Sequence, residues 1–221
     1  LVVEKTFAFK RGSYVIDVRY AVRNDSGSSI SPSAYFQFLR DGNPPEGESA
    51  GNFLTGGVVT FTGPAVFTDA KKFQKVDFAA ISKGKQEHIK ESSDGWIAMV
   101  QHYFVAAWLP VGQSKREFFT RKVGDALFSA GVILSMPPIA SGSSGTISMP
   151  LYVGPQEQEH LKVLAPEFDL VVDYGWLCCC HNNWRSDFGR RKVCPVVLAD
   201  GRSRSSVRSR FCTLAIYTEC L

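Results

Sequence analysis

The residues with the most chemical potential in this chain lie near its C-terminus, where Cys178-Cys179-Cys180-His181 offers four soft metal ligands in a row. Structural zinc sites usually separate paired ligands by two to four residues so that both reach one tetrahedral ion. Here three cysteines are contiguous. The other three (Cys194, Cys212 and Cys220) are far apart and form no CxxC pair. The spacing therefore argues against zinc, and disulfides cannot be paired from it. The remaining histidines are His88, His102 and His160. His88 and His160 fall in charged stretches that read as exposed, whereas His102 falls in an apolar run that suits a hydrogen-bonded core histidine. Pairing His102 with Glu117 or Asp94 would give the acid and base of a sugar mutarotase, but nothing in their spacing supports it. No HxxxH, nucleophile elbow, paired-carboxylate or glycine-rich phosphate motif is present. The expectation is a chain with no catalytic, metal or cofactor site.

All six cysteines lie in the last 44 residues, and the charge divides at the same point. Residues 1–177 carry 17 basic and 18 acidic side chains. Residues 178–221 carry 8 and 3, against 25 and 21 in the whole chain. A near-neutral body lacks the basic stripe that nucleic acid requires. The run Arg202-Ser203-Arg204-Ser205-Ser206-Val207-Arg208-Ser209-Arg210 resembles a nucleic-acid segment, but such a composition is more often simply disordered. Residues 178–221 read as an anomalous tail, disordered or irregular, translated out of frame. That one event would exchange lysine for arginine and introduce cysteine, and an out-of-frame tail should not share the core of the body. The start, Leu1-Val2-Val3-Glu4-Lys5, has no signal-peptide pattern and reads as the middle of a protein.

The elements of the body are strands. Tyr14, Ile16, Val18, Tyr20 and Val22 alternate with Asp17, Arg19 and Arg23, the period of a half-buried strand. Arg11-Gly12-Ser13 joins that strand to an earlier one around Thr6–Phe9 as a hairpin. An aromatic strand follows over Ala34–Leu39, then a long polar loop over 41–57. Further candidates are Val58–Thr62, Ala65–Thr68, Lys72–Phe78, Glu117–Val123, Leu127–Leu134 and Thr146–Val153, with Gly63-Pro64 among the turns between them. The apolar run Trp96–Pro110 is too short for a membrane helix and is interrupted by Gln101-His102, so it reads as a buried strand, or as two strands with a bend. Trp96 and Trp108 are expected as core anchors. Helix signals come only late, over Gln156–Leu164 after Pro155, with Leu161 and Leu164 facing inward and Ala165-Pro166 ending it. These elements predict an all-β chain of antiparallel sheets packed face to face.

Six motifs in order resemble the large periplasmic domain of the bacterial YidC-type membrane protein insertases (the YidC/Oxa/Alb family). They are Phe9-Lys10-Arg11-Gly12-Ser13-Tyr14, Phe61-Thr62-Gly63-Pro64-Ala65 and Lys72-Phe73-Gln74-Lys75-Val76, followed by Asp94–Phe104 with Ala107-Trp108-Leu109-Pro110. The last two are Leu151-Tyr152-Val153-Gly154-Pro155 and Leu164-Ala165-Pro166 leading to Leu170–Leu177. The resemblance implies a β-supersandwich over residues 1–177, closed by a short helical linker over 155–177. It implies a place on the periplasmic side of the bacterial inner membrane. The implied role is non-enzymatic: aiding insertion and folding of nascent inner-membrane proteins, alone or with the Sec translocon and its accessory subunits. The membrane helices of the family, with the groove arginine that receives substrates, are not in this sequence, so it is expected not to insert proteins by itself. The competing class is a carbohydrate-binding or mutarotase-like supersandwich. Within the linker, Phe168, Leu170, Tyr174 and Trp176 are the residues expected to pack the linker on the sheet or to face the insertase core and membrane surface, since Trp and Tyr suit a membrane–water interface.

Overall fold

The computed structural model describes residues 1–43, 61–172 and 215–217. The described residues form two antiparallel sheets. The first has seven strands. In sequence order these are β1 (Val2–Phe9), β2 (Val15–Arg23), β4 (Gly63–Thr68), β5 (Lys72–Lys75), β7 (Trp96–Val100), β8 (Phe104–Trp108) and β11 (Ser144–Pro155). Their order across the sheet is β1-β2-β11-β8-β7-β4-β5. The second sheet holds β3 (Ser33–Asp41), β6 (Glu91–Ser92), β9 (Arg116–Lys122), β10 (Leu127–Ser135) and β12 (Ala215–Tyr217), in the order β12-β3-β10-β9-β6. Among the described residues the helical elements are α1 (Phe78–Ser82), α2 (Gln158–Leu164) and one 3-10 turn, Phe168–Val171. The all-β expectation with a short helical linker is met.

The pleat explains the layering, because successive side chains of a strand point to opposite faces. Ile97 and Met99 of β7, Ala106 and Trp108 of β8, and Val18 and Tyr20 of β2 face the second sheet. There they meet Phe36, Phe38, Phe118, Ala130 and Val132. Trp108 is the centre of this layer, with ring centroids 5.1 Å from Phe36 and 5.6 Å from Phe38. The alternate residues, Trp96, Ala98 and Val100 of β7 and Val105 and Ala107 of β8, point the other way into a second apolar layer. That layer is roofed by Leu161 of α2 and by Phe168 and Val171 of the 3-10 turn. The seven-stranded sheet is therefore buried on both faces at its centre. This is why both halves of Trp96–Leu109, on either side of Gln101-His102, are apolar without alternation.

Several expectations hold and others are corrected. The hairpin of β1 and β2 turns at Gly12, whose φ of +76° favours glycine. Val18, Tyr20 and Val22 are buried as alternation predicts, but Tyr14 lies just before β2 and is half-exposed. Gly63-Pro64, expected as a turn, instead opens β4, at the start of a strand where the missing N–H of proline is tolerated. Lys72–Phe78 is not one strand: β5 stops at Lys75 and Phe78 starts α1. In the candidate Val58–Thr62, residues 58–60 lie outside the described residues, and Phe61 and Thr62 are not strand. Most of the predicted polar loop and nearly all of the tail also lie outside them. The tail's described segment is β12, a three-residue strand pairing Ala215, Ile216 and Tyr217 with Leu39, Phe38 and Gln37.

Candidate functional site

The linker dock is built from residues that the sequence scatters widely. β11 ends at Pro155, and Gln156 then fixes the point of departure. Its side-chain amide donates to the carbonyls of Gln101 (2.6 Å) and Phe104 (3.1 Å), and its backbone N–H donates to Tyr103. The Tyr152 hydroxyl donates to the Pro155 carbonyl at 2.7 Å, and burial raises the pKa of that phenol, with smaller contributions from Tyr14 and Glu157. α2 then crosses the outer face of the seven-stranded sheet on Leu161, while Leu164 is only half-buried. Ala165 ends the helix as expected. Glu167, at a φ of +54°, turns the chain so that Phe168 drops into the sheet.

Phe168 is fully buried, with its ring edge-on to Trp96 (4.9 Å) and to Tyr152 (5.7 Å). Trp96 also stacks on Phe67 at 5.6 Å and meets Phe73 at 6.0 Å. Its indole N–H donates to the Pro166 carbonyl at 3.0 Å. The linker is thus held by an aromatic cluster and by one directional bond from the sheet. Phe168 is a core residue rather than a surface one. Leu170 is half-buried, and Tyr174 and Trp176 lie outside the described residues.

Trp96 is held in turn by the segment Asp94-Gly95. The Asp94 carboxylate accepts the backbone N–H of Asp69 at 2.6 Å and the hydroxyl of Ser92, and these bonds lower its pKa. Gly95 has a φ of +95°, and a Cβ there would sit 1.9 Å from the Phe67 carbonyl oxygen, so no other residue fits. The Gly95 carbonyl accepts Nη1 of Arg116 at 2.7 Å. Arg116 is itself buried, and its guanidinium also donates to the carbonyls of Gly112 and Ser114. One arginine therefore gathers the chain before β7 and the loop between β8 and β9. The sequence offers no signal for it, since buried arginines are exceptional and its acceptors are main-chain oxygens.

The residues considered for catalysis are not brought together. His102 sits in the turn between β7 and β8, half-buried and packed on Tyr103 at 4.0 Å, rather than within a core strand. Asp94 precedes the opposite end of β7, roughly 17 Å of strand away. Glu117 is on β9 of the other sheet. His160 is exposed and pairs with Glu157. His88, expected to be solvated, is half-buried, with Nε2 3.3 Å from the Thr120 hydroxyl and Nδ1 without a hydrogen-bond partner. Among the described residues no group of three or more His, Cys, Asp or Glu is placed to hold a metal, and no helix is long and apolar enough to cross a membrane. Cys178–His181 lies outside them.

The family model of the YidC periplasmic domain matches residues 1–181. The membrane protein insertase YidC of Aromatoleum aromaticum is 55% identical over 175 residues, covering 79% of this chain and 31% of that protein. The same-named protein of Dechloromonas aromatica is 53% identical over 176 residues, again covering 79% of this chain and 31% of its own length. That of Nitrosospira multiformis is 47% identical over 175 residues, covering 79% and 30%. The chain spans about three-tenths of the length of the curated relatives it matches.

Proposed function

The chain belongs to the YidC periplasmic domain family, and from that premise we propose that it is the periplasmic part of an insertase that aids insertion and folding of nascent inner-membrane proteins. It acts alone or beside the Sec translocon and its accessory subunits, and it carries out no enzymatic reaction of its own. Its family places it on the periplasmic side of the inner membrane. The observation that carries the reading is the docked linker: Phe168 inserted against Trp96 and Tyr152 makes residues 158–171 one body with the sheet. A linker held this way passes the orientation of the domain to whatever follows it in a full-length protein. Phe168 would serve from inside by holding the linker down. Leu170, Tyr174 and Trp176 would serve at the insertase core or membrane surface.

In a full-length protein, Phe168→Ser combined with Trp176→Ser should fail to restore membrane-protein insertion in cells depleted of their insertase. Lys71→Ser, on an exposed turn, should restore it. Full complementation by the double variant would defeat the coupling role.

The domain is assigned to residues 1–177, with its linker over 155–177, and residues 178–221 to an out-of-frame tail. The family match ending at residue 181 supports this division. The pairing of β12 does not oppose it, because an open strand edge binds main chain and tolerates almost any sequence. Sequencing the underlying DNA across Leu177 tests the assignment, and an unbroken frame there would overturn it.

A further inference from the structure

Large exposed aromatics are gathered at one end of the seven-stranded sheet. The turn between β7 and β8 presents Tyr103 and Phe104, 71% and 53% exposed. The hairpin of β1 and β2 presents Phe9 and Tyr14, 75% and 51% exposed, on either side of Lys10 and Arg11. These two tips are neighbours. Val153 donates its N–H to the Tyr14 carbonyl, the Tyr14 and Tyr152 rings meet at 6.2 Å, and Pro155 pairs with Phe104. Only β11 separates β2 from β8, so the tips stand about 10 Å apart.

Single exposed apolar side chains are ordinary and need no explanation. Four aromatics on adjacent turns with two cations between them are a different case. The β7–β8 turn is also rigid, because the Gln156 amide ties the Gln101 and Phe104 carbonyls and Gln101 donates its N–H to Phe104. The aromatics are therefore presented at little further cost in ordering. Lys10 and Arg11 make no ion pair among the described residues, and these two cations outnumber the one nearby carboxylate, Glu157. The rim is thus net basic.

We propose that this end of the sheet, with Phe9, Tyr14, Tyr103 and Phe104 beside Lys10 and Arg11, is a contact surface for an anionic phospholipid bilayer. Tyrosine and phenylalanine at a membrane–water interface bury an apolar ring while the tyrosine hydroxyl stays at headgroup level. The cations meet the negative surface potential. The linker leaves the sheet between the two tips, at Pro155-Gln156, so the same end carries both the rim and the start of the connection. The inference rests on the periplasmic placement and not on the role in insertion, and its test contains no insertion step.

The whole chain is sedimented with phosphatidylcholine vesicles, with and without one-third phosphatidylglycerol. The arginine-rich tail gives a background on anionic lipid, so the readout is the difference between the unaltered chain and rim variants. Lys10→Gln with Arg11→Gln should lower partitioning onto the anionic vesicles roughly tenfold. Tyr103→Ser with Phe104→Ser should lower it also at high salt, where the electrostatic attraction is screened. Thermal midpoints close to that of the unaltered chain confirm folding. Independently of folding, a photo-crosslinking residue at position 103 should capture lipid in native membranes. Rim variants that bind like the unaltered chain, or capture of protein rather than lipid at position 103, would overturn the proposal.

Discussion

The two tryptophans of the central strands stand on opposite faces of one sheet and do different work. Trp108 points into the layer between the sheets, packs on Phe36 and Phe38, and leaves its indole N–H without a hydrogen-bond partner. Trp96 points outward, packs on Phe67 and Phe168, and uses its N–H on the Pro166 carbonyl. The inner layer joins strands far apart in sequence and cannot open without losing the fold. The outer layer is roofed by about fifteen residues of linker, which can lift while the sheets stay paired. The difference separates what makes the two sheets fold from what fastens the linker to them.

The largest expected effect tests the inner layer. Trp108→Ala should cost about 3–5 kcal/mol, the range for deleting a large buried aromatic side chain. It should lower the thermal midpoint and the protection of every strand together. If the strands kept native protection while the linker alone became exchangeable, the division between the layers would be wrong.

Phe168→Ala should produce the opposite pattern. The same kind of cavity opens under the linker, and the loss should appear as local opening. Hydrogen exchange should quicken over residues 158–171, while β2, β8 and β11 stay protected and the midpoint falls much less than for Trp108→Ala. Uniform loss of protection would mean that the linker is part of a single cooperative core.

How much of this contrast the sequence carries depends on whether one face of an element is wet. β2 and β3 alternate cleanly because water lies on one side, and their buried residues follow from period alone. β7 and β8 are buried on both faces, so their sequence is uniformly apolar. Gln101-His102 locates the bend, but nothing in the sequence says which tryptophan faces which layer. α1 is a single turn whose N-cap residue, Asp77, makes no side-chain capping bond and whose first turn has no acidic residue, so its signature is faint. Phe168 is legible as an apolar linker residue, but its partners lie about seventy and sixteen residues upstream, at Trp96 and Tyr152. Arg116 is invisible because it bonds carbonyl oxygens, which every residue has. His88 reads as solvated because its neighbours are charged. It is drawn inward because Gln74 of β5 accepts the N–H of Ile89 and donates to the Glu87 carbonyl, lacing that segment across the flank of the sandwich.

A smaller and sharper comparison replaces each indole by a phenyl ring. Trp108→Phe removes an unpaired buried donor, and this offsets part of the lost packing. Trp96→Phe removes packing and also the indole bond to the Pro166 carbonyl. The hydrogen-bond term alone is about 1 kcal/mol. Linker exchange should therefore quicken in Trp96→Phe and stay unchanged in Trp108→Phe. Equal linker exchange in both variants would remove the Pro166 bond from the account.

The smallest expected effect lies at the flank of the inner layer and depends on pH. Burial lowers the His88 pKa, and Lys90 lowers it further. The unfolded chain, with an ordinary imidazole value of about 6.5, therefore binds a proton more readily than the folded chain does. Wherever the unfolded state holds more protons, stability rises with pH. The His88 contribution is thus complete above about pH 6.5 and declines as the pH falls through that value toward the lowered folded one. His88→Gln cannot take up the proton, so its thermal midpoint should fall less than that of the unaltered chain between mildly alkaline and mildly acidic buffer. Because His88 bonds Thr120 on the inner face of β9, the change should appear in global unfolding and leave the linker's local opening untouched. A pH-dependent lifting of the linker that vanished in His88→Gln would join the two layers through this flank and break the separation between them.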